Sequence, residues 1–97
     1  MNDVATVDRY EFLANRFKLL SEPTRLRILE VICEEELKVS EICERTGLQQ
    51  ANASKQLQLL KTAGVVACRR VGTSRYYRVI DQELLRLCDR ATVRNPP

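Results

Sequence analysis

The chain has no histidine among its 97 residues, which removes mixed Cys/His zinc sites and histidine-based acid–base catalysis at the outset. Its four cysteines, Cys33, Cys43, Cys68 and Cys88, form no C-x-x-C pair. With three glycines in all it carries no glycine-rich phosphate loop, and no paired carboxylates are set apart for acid–base work. An enzyme is therefore the least supported class. No apolar run approaches the ~20 residues needed to span a bilayer, so no membrane partner is expected. The N-terminus, MNDVATVDRYEF, mixes acids and bases where a secretory signal needs a basic start and an apolar stretch. The expectation is a cytoplasmic chain with reduced thiols, since disulfides belong to oxidising compartments. Internal repeats and low-complexity segments are absent.

What is present is an ordinary globular composition, 44% apolar and 30% charged, in a length suited to one domain with one modest core. Residues 1–94 are expected to form that domain, and Asn95-Pro96-Pro97 a frayed tail. The net charge of +3 is unevenly spread. Acids stop at Glu44 and resume at Asp81, and the stretch between holds seven basic residues: Arg45, Lys55, Lys61, Arg69, Arg70, Arg75 and Arg78. The remainder has nine basic residues against thirteen acids. A one-signed stretch of this kind attracts a polyanion and steers its approach, although a basic surface that only meets water has the same composition.

Apolar residues at three- and four-residue steps (Tyr10, Leu13, Ala14, Phe17, Leu20) predict a first helix from Val7 to Leu20. Glu22-Pro23 interrupts it, and proline suits the first turn of a second helix to about Glu34. There Leu26, Ile28, Leu29, Val31 and Ile32 cover more than one face, which predicts a buried centre. A third helix is expected from Val39 to Thr46, ended by Gly47, and a fourth from Gln50 to Ala63, ended by Gly64. Two short helices joined by a tight glycine turn read as helix-turn-helix. Val65–Val71 and Arg75–Val79 flank Gly72-Thr73-Ser74 and predict a hairpin. Asp81 can cap a last helix whose band of Leu84, Leu85, Leu87, Cys88 and Ala91 is too broad for a lone surface helix. The fold class is mainly α with a small β-hairpin, a winged helix-turn-helix.

On a wheel of about 100° per residue, Gln50, Lys61, Ser54, Gln58, Ala51 and Lys55 share one sector of the fourth helix, opposite Leu57, Ala53, Leu60, Ala63 and Leu59. Amides, a hydroxyl and ammonium groups around a small alanine suit base edges and phosphates. Asn52 lies nearer the apolar sector but in the first turn, where a reading helix points into the groove. Gln56 reads as a structural amide between helices. Of the hairpin's Arg69, Arg70, Arg75 and Arg78, alternation lets one set face DNA, and Arg70 with the tip Thr73, Ser74 and Arg75 is the set expected there. Tyr76 and Tyr77 read as packing residues.

LSEPTRLRILEVI, ELKVSEICERTGLQQANASKQLQLLKTAGVV and RRVGTSRYYRV together resemble the ArsR/SmtB winged-helix repressors over about residues 12–80. The resemblance implies a homodimer joined through the first and last helices, binding an operator inverted repeat and released by an effector. The dimer contact would then fall on Tyr10, Leu13, Phe17, Leu84, Leu87, Cys88 and Ala91. The family's reading positions fall on Gln50, Ala51, Ser54 and Lys55. Where members that sense arsenic or cadmium carry a cysteine pair in the third helix, this chain has Lys38 and Ser40. Members with zinc, cobalt or nickel at the last helix use histidine, which is missing. Cys33 and Cys88 resemble in outline the two-cysteine arrangement of the family's reactive-sulfur and redox sensors, each offset by one or two helical turns. A soft metal or metalloid ion held by thiolates is the alternative, and cysteines acting only as small buried hydrophobes the plainest one. A winged-helix protein-interaction module and a sequence-blind DNA binder are the rival functions.

Overall fold

The computed structural model describes the backbone of residues 3–86 and the side chains of residues 8–86. Leu87, Cys88 and Ala91 of the expected dimer contact, and the tail at 95–97, lie outside the described residues. Helix α1 spans Asp3–Leu20 and begins four residues before the apolar periodicity that announced it. The Ser21 hydroxyl closes it by donating to the Lys18 carbonyl at 2.7 Å. Glu22 then turns extended and caps α2 (Pro23–Ile32), its carboxylate accepting the Thr24 amide N–H at 2.8 Å, with Pro23 in the first turn where its missing N–H costs nothing. This helix stops two residues short of Glu34. Ile28, Leu29 and Ile32 are buried, whereas Leu26, expected inside, is 48% exposed. One face packs inward rather than the whole circumference.

A strand absent from the sequence reading follows. β1 (Leu37–Lys38) is two residues long, too short to leave a periodic mark, and exists because it pairs with a strand about forty positions on. Helix α3 (Val39–Thr46) starts with the Lys38 amide N–H donating to Glu41 Oε1 at 2.9 Å, as in a capping box. It ends where Gly47 takes a left-handed φ of 79° and its N–H meets the Cys43 carbonyl at 2.8 Å. Helix α4 (Gln50–Thr62) closes in the same way: Gly64 has φ 79°, and Val65 N–H reaches the Leu60 carbonyl at 3.0 Å.

Strands β2 (Val66–Val71) and β3 (Ser74–Val79) pair antiparallel around Gly72-Thr73, a tighter turn than the three residues expected because Val71 pairs with Ser74. The sheet is three-stranded, ordered β1-β3-β2, rather than a lone hairpin. Its inner face sets Leu37, Val66, Tyr77 and Val79 against Ile28, Ile32, Ile42, Leu57 and Leu60.

Asp81 caps the last helix as expected, its Oδ1 accepting from the Glu83 and Leu84 amides at 2.9 and 3.2 Å. That helix is described from 82 to 86. Leu84, expected at the dimer contact, is 9% exposed and packs in the core of its own protomer. Arg16 joins three elements here, holding Asp81 at 3.2 Å and donating to the Ala63 carbonyl at the end of α4 at 3.2 Å. Its guanidinium also lies 4.9 Å over the Phe12 ring.

Candidate nucleic-acid interface

Helix α4 is held by its inner face. Ala53, Leu57 and Leu60 are buried against the core, so the rest of the helix is presented outward by the packing of α2, α3 and the sheet. Gln50, Ala51, Asn52, Ser54, Lys55, Gln58 and Lys61 are all exposed. Leu59 and Ala63, grouped with the inner sector on the wheel, are exposed too. The buried side is centred near Ala53, and at about 100° per residue Leu59 falls roughly 125° from that centre, at the edge of the outward face.

An open groove of about 390 Å³ runs between the flank of α4 (Gln50, Ser54, Gln58), the start of α3 (Lys38, Val39, Ser40) and the hairpin (Thr73, Ser74, Arg75, Tyr77). The structure thus brings together three of the predicted helix positions and three of the predicted wing positions. Ala51 and Lys55 point away from the buried face on the outward side. Lys38, Val39, Ser40 and Tyr77 were missed as lining, because they enter it only through the β1–β3 pairing. Arg70 sits directly opposite Arg75 in the β2–β3 ladder, and both are exposed. Like charges facing each other across a ladder are unfavourable, and an approaching polyanion relieves that repulsion.

The other two hairpin arginines behave differently. Arg69 donates to both oxygens of Glu36, at 2.7 and 3.1 Å, and Arg78 lies 3.7 Å from the same carboxylate. The Arg69 hydrogen bond holds the Glu36 carboxyl below its ordinary value, burial opposes it, and the charges of Arg69 and Arg78 add to the lowering. Arg69 also lies 5.6 Å over the half-buried Tyr76 ring. Arg45 pairs with Glu35 at 2.7 Å. A stretch free of acid in sequence is therefore not free of acid in space. Among the described residues, Lys55, Lys61, Arg70 and Arg75 are the members of the basic set outside these ion pairs.

Tyr77 is buried beside Cys68, its partner in the ladder. Burial pushes its phenol above the ordinary range, Cys68 adds to that, and the Arg75 guanidinium pulls the other way. Gln56 is the structural amide expected, accepting from Arg25 of α2 at 3.1 Å and donating to Asn52 at 3.2 Å. Cys43 and Cys68 are free thiols, each half-buried, and the half-buried Cys33 sulfur lies 3.4 Å from the Glu30 carbonyl. Among the described residues no cluster of three or more potential metal ligands occurs, and no helix is long and apolar enough to cross a membrane.

Away from the groove, Tyr10 and Phe17 are 63% and 69% exposed, and Phe12 and Leu13 are exposed beside them. Helix α1 meets the core through Leu19 and Leu20 and leaves this aromatic face open.

The family model of the bacterial regulatory proteins of the arsR family matches residues 22–67, from the cap of α2 into β2. The chain is 39% identical over 79 residues to the uncharacterized HTH-type transcriptional regulator Rv0081 of Mycobacterium tuberculosis, covering 80% of this chain and 69% of that one. The crystal structure of the transcriptional repressor BigR from Xylella fastidiosa superposes with a TM-score of 0.80 at 28% identity, over 100% of this chain and 99% of BigR. The homodimeric winged helix-turn-helix DNA-binding domain of Mb0332 from Mycobacterium bovis gives 0.79 at 33% identity, over 96% and 84%. BigR is a transcriptional repressor, and Mb0332 a possible ArsR-family transcriptional regulator. With a winged helix-turn-helix fold, an outward amide-rich helix and this sequence similarity, the chain belongs to the ArsR family of DNA-binding transcriptional regulators.

Proposed function

We propose that the protein is a homodimeric repressor that binds an inverted-repeat operator and releases it when an effector reaches its cysteine thiols. The DNA part is carried by one observation, the groove that joins the exposed amide and hydroxyl flank of α4 to the hairpin tip. Gln50, Ala51, Asn52, Ser54, Lys55, Gln58 and Lys61 take the major groove and its edges, while Arg70, Thr73, Ser74 and Arg75 take phosphates or the minor groove beside it. Phosphate contacts set the register, and the helix reads sequence.

Dimerisation is supported by the open aromatic face of α1 and by the likeness to homodimeric Mb0332. Tyr10, Leu13 and Phe17 meet the last helix, with Leu87, Cys88 and Ala91 as its share of the contact. Two reading helices then enter successive major grooves about 34–36 Å apart, and a small rotation at the dimer contact spoils both. Cys33 and Cys88 are the proposed sensor thiols, for a reactive sulfur species, an oxidant or a soft metal or metalloid ion. Cys33 ends α2 against the core, so a change there has an element to move.

The test is selection of duplexes from a randomised pool, followed by affinity measurement across a salt series. A selected inverted repeat bound by two protomers, with affinity falling steeply in salt, is the expected result; binding that scales with DNA length and ignores sequence refutes it. Arsenite, cadmium, persulfide and peroxide are then tested for release, with the Cys33→Ser/Cys88→Ser double variant expected to keep operator affinity and lose release.

A further inference from the structure

A chain of hydrogen bonds leads from the end of α1 to the first turn of α4. Arg25 on α2 donates from Nε to the Leu19 carbonyl at 2.6 Å and from Nη1 to Gln56 Oε1 at 3.1 Å. Gln56 donates from Nε2 to Oδ1 of Asn52, one turn earlier on the same helix, at 3.2 Å. Arginine has donors only, whereas a primary amide has an accepting end and a donating end. Arg25 therefore sets the direction of everything beyond it. Gln56 must turn its oxygen to the guanidinium, which leaves its amino group for Asn52. Asn52 must then turn its own oxygen back to Gln56, and its Nδ2 hydrogens become the end that faces away.

A free asparagine suits adenine because it accepts and donates at once. This one is exposed, lies in the turn where a reading helix meets DNA, and has its accepting end already engaged. We infer that Asn52 is a donor contact to DNA whose polarity is set by Arg25 through Gln56, so that it selects an acceptor: guanine O6 or N7, adenine N7, thymine O4, or a phosphate oxygen. This rests on the DNA-binding reading above. Gln56 and Arg25 are positioning residues, and Asn52 is the contact.

The substitution that isolates the effect is Gln56→Glu. A glutamate still accepts from Arg25, which has no acidic partner among the described residues, but it cannot donate to Asn52. The Asn52 amide then turns to donate inward and presents its oxygen outward. Duplexes are selected from a randomised pool with the wild-type protein and with Q56E. For a base contact, the preference at one position of each half-site moves from an acceptor (guanine, thymine, or adenine N7, the last lost on 7-deaza substitution) to the amino group of adenine or cytosine. For a phosphate contact, the preferred sequence stays and affinity for it falls roughly three- to tenfold, the range of one hydrogen bond, and a methylphosphonate at that phosphate abolishes the difference. Unchanged preference together with unchanged affinity overturns the inference. A wild-type protein that selects no duplex and binds no DNA overturns the DNA-binding reading itself, which the wild-type arm reports separately. Independently of whether Q56E folds, the Asn52 side-chain amide protons of the wild-type protein are expected to move downfield when the selected duplex is added; signals that stay in place overturn the inference.

Discussion

Glu36 grips Arg69 across 33 residues of sequence, Oε1 to Nη2 at 2.7 Å and Oε2 to Nε at 3.1 Å. With Arg78 at 3.7 Å from the same carboxylate, one acid just before β1 neutralises much of the hairpin face that carries Arg69 and Arg78. Arg70 and Arg75, on the opposite face by strand alternation, keep their charge for the groove side. The pair thereby divides four hairpin arginines into two kinds.

Replacing Glu36 by Gln should release Arg69 and Arg78 to phosphates. The expected outcome is tighter binding to non-specific duplex and a steeper salt dependence, by about 0.9 in the log–log slope for each additional phosphate neutralised. Fluorescence anisotropy across a salt series measures it, and an unaltered slope would mean these arginines do not reach DNA even when freed.

The same contact predicts an acid limb in stability. The Glu36 carboxyl is lowered in the folded state from an ordinary 4.5, so its contribution is fully present above that value and is lost as pH falls through the lower folded one. Wild-type protein should lose more thermal stability than Glu36→Gln between neutral pH and the region below 4.5. Parallel losses in the two proteins would count against the ion pair.

Arg70→Ala and Arg75→Ala should leave the fold as stable or slightly more so, since each removes a like-charge pair from the ladder. Binding should weaken on every sequence, with the salt slope of a dimer shallower by about 2 for either change. Selected-duplex affinity and thermal melts, taken together, separate this from a folding defect.

Leu84 and Phe17 should respond in opposite ways. Leu84→Ala empties part of the protomer's core and is expected to cost about 2–4 kcal/mol of stability. Phe17→Ser alters a side chain that is 69% exposed; it should spare the protomer and raise the dimer's dissociation constant. Denaturant titration and sedimentation velocity distinguish the two, and a Phe17→Ser protein that stays as dimeric as wild type would remove α1 from the contact.

Gly47→Ala places a side chain at φ 79°. The site has open space around the added carbon, so the expected loss is the backbone strain alone, about 1 kcal/mol, and less for Gly47→Asn. Chemical denaturation gives the difference; a loss several times larger would point to a contact in addition to the strain.

What could be read without coordinates was whatever neighbours along the chain decide. The α3 boundaries, the glycine stops at 47 and 64, the Pro23 start, the Asp81 cap and the hairpin all follow from contacts within about four residues or from the demands of a turn. The outward amides of α4 were legible for the same reason, since helical geometry separates them from Ala53, Leu57 and Leu60. Tertiary structure decided the rest. Two residues at 37–38 become a strand only because β3 lies beside them, and that pairing carries Lys38 and Ser40 into the groove. Leu84 joins the protomer's own core, while Leu59 and Leu26 turn outward, because packing directions belong to the assembled body and not to a helix taken alone. Above all, the positive stretch looked uniform in sequence, where Glu36 stands far from Arg69. Coulomb attraction depends on distance through space, and only the folded chain brings that acid within 3 Å of the wing.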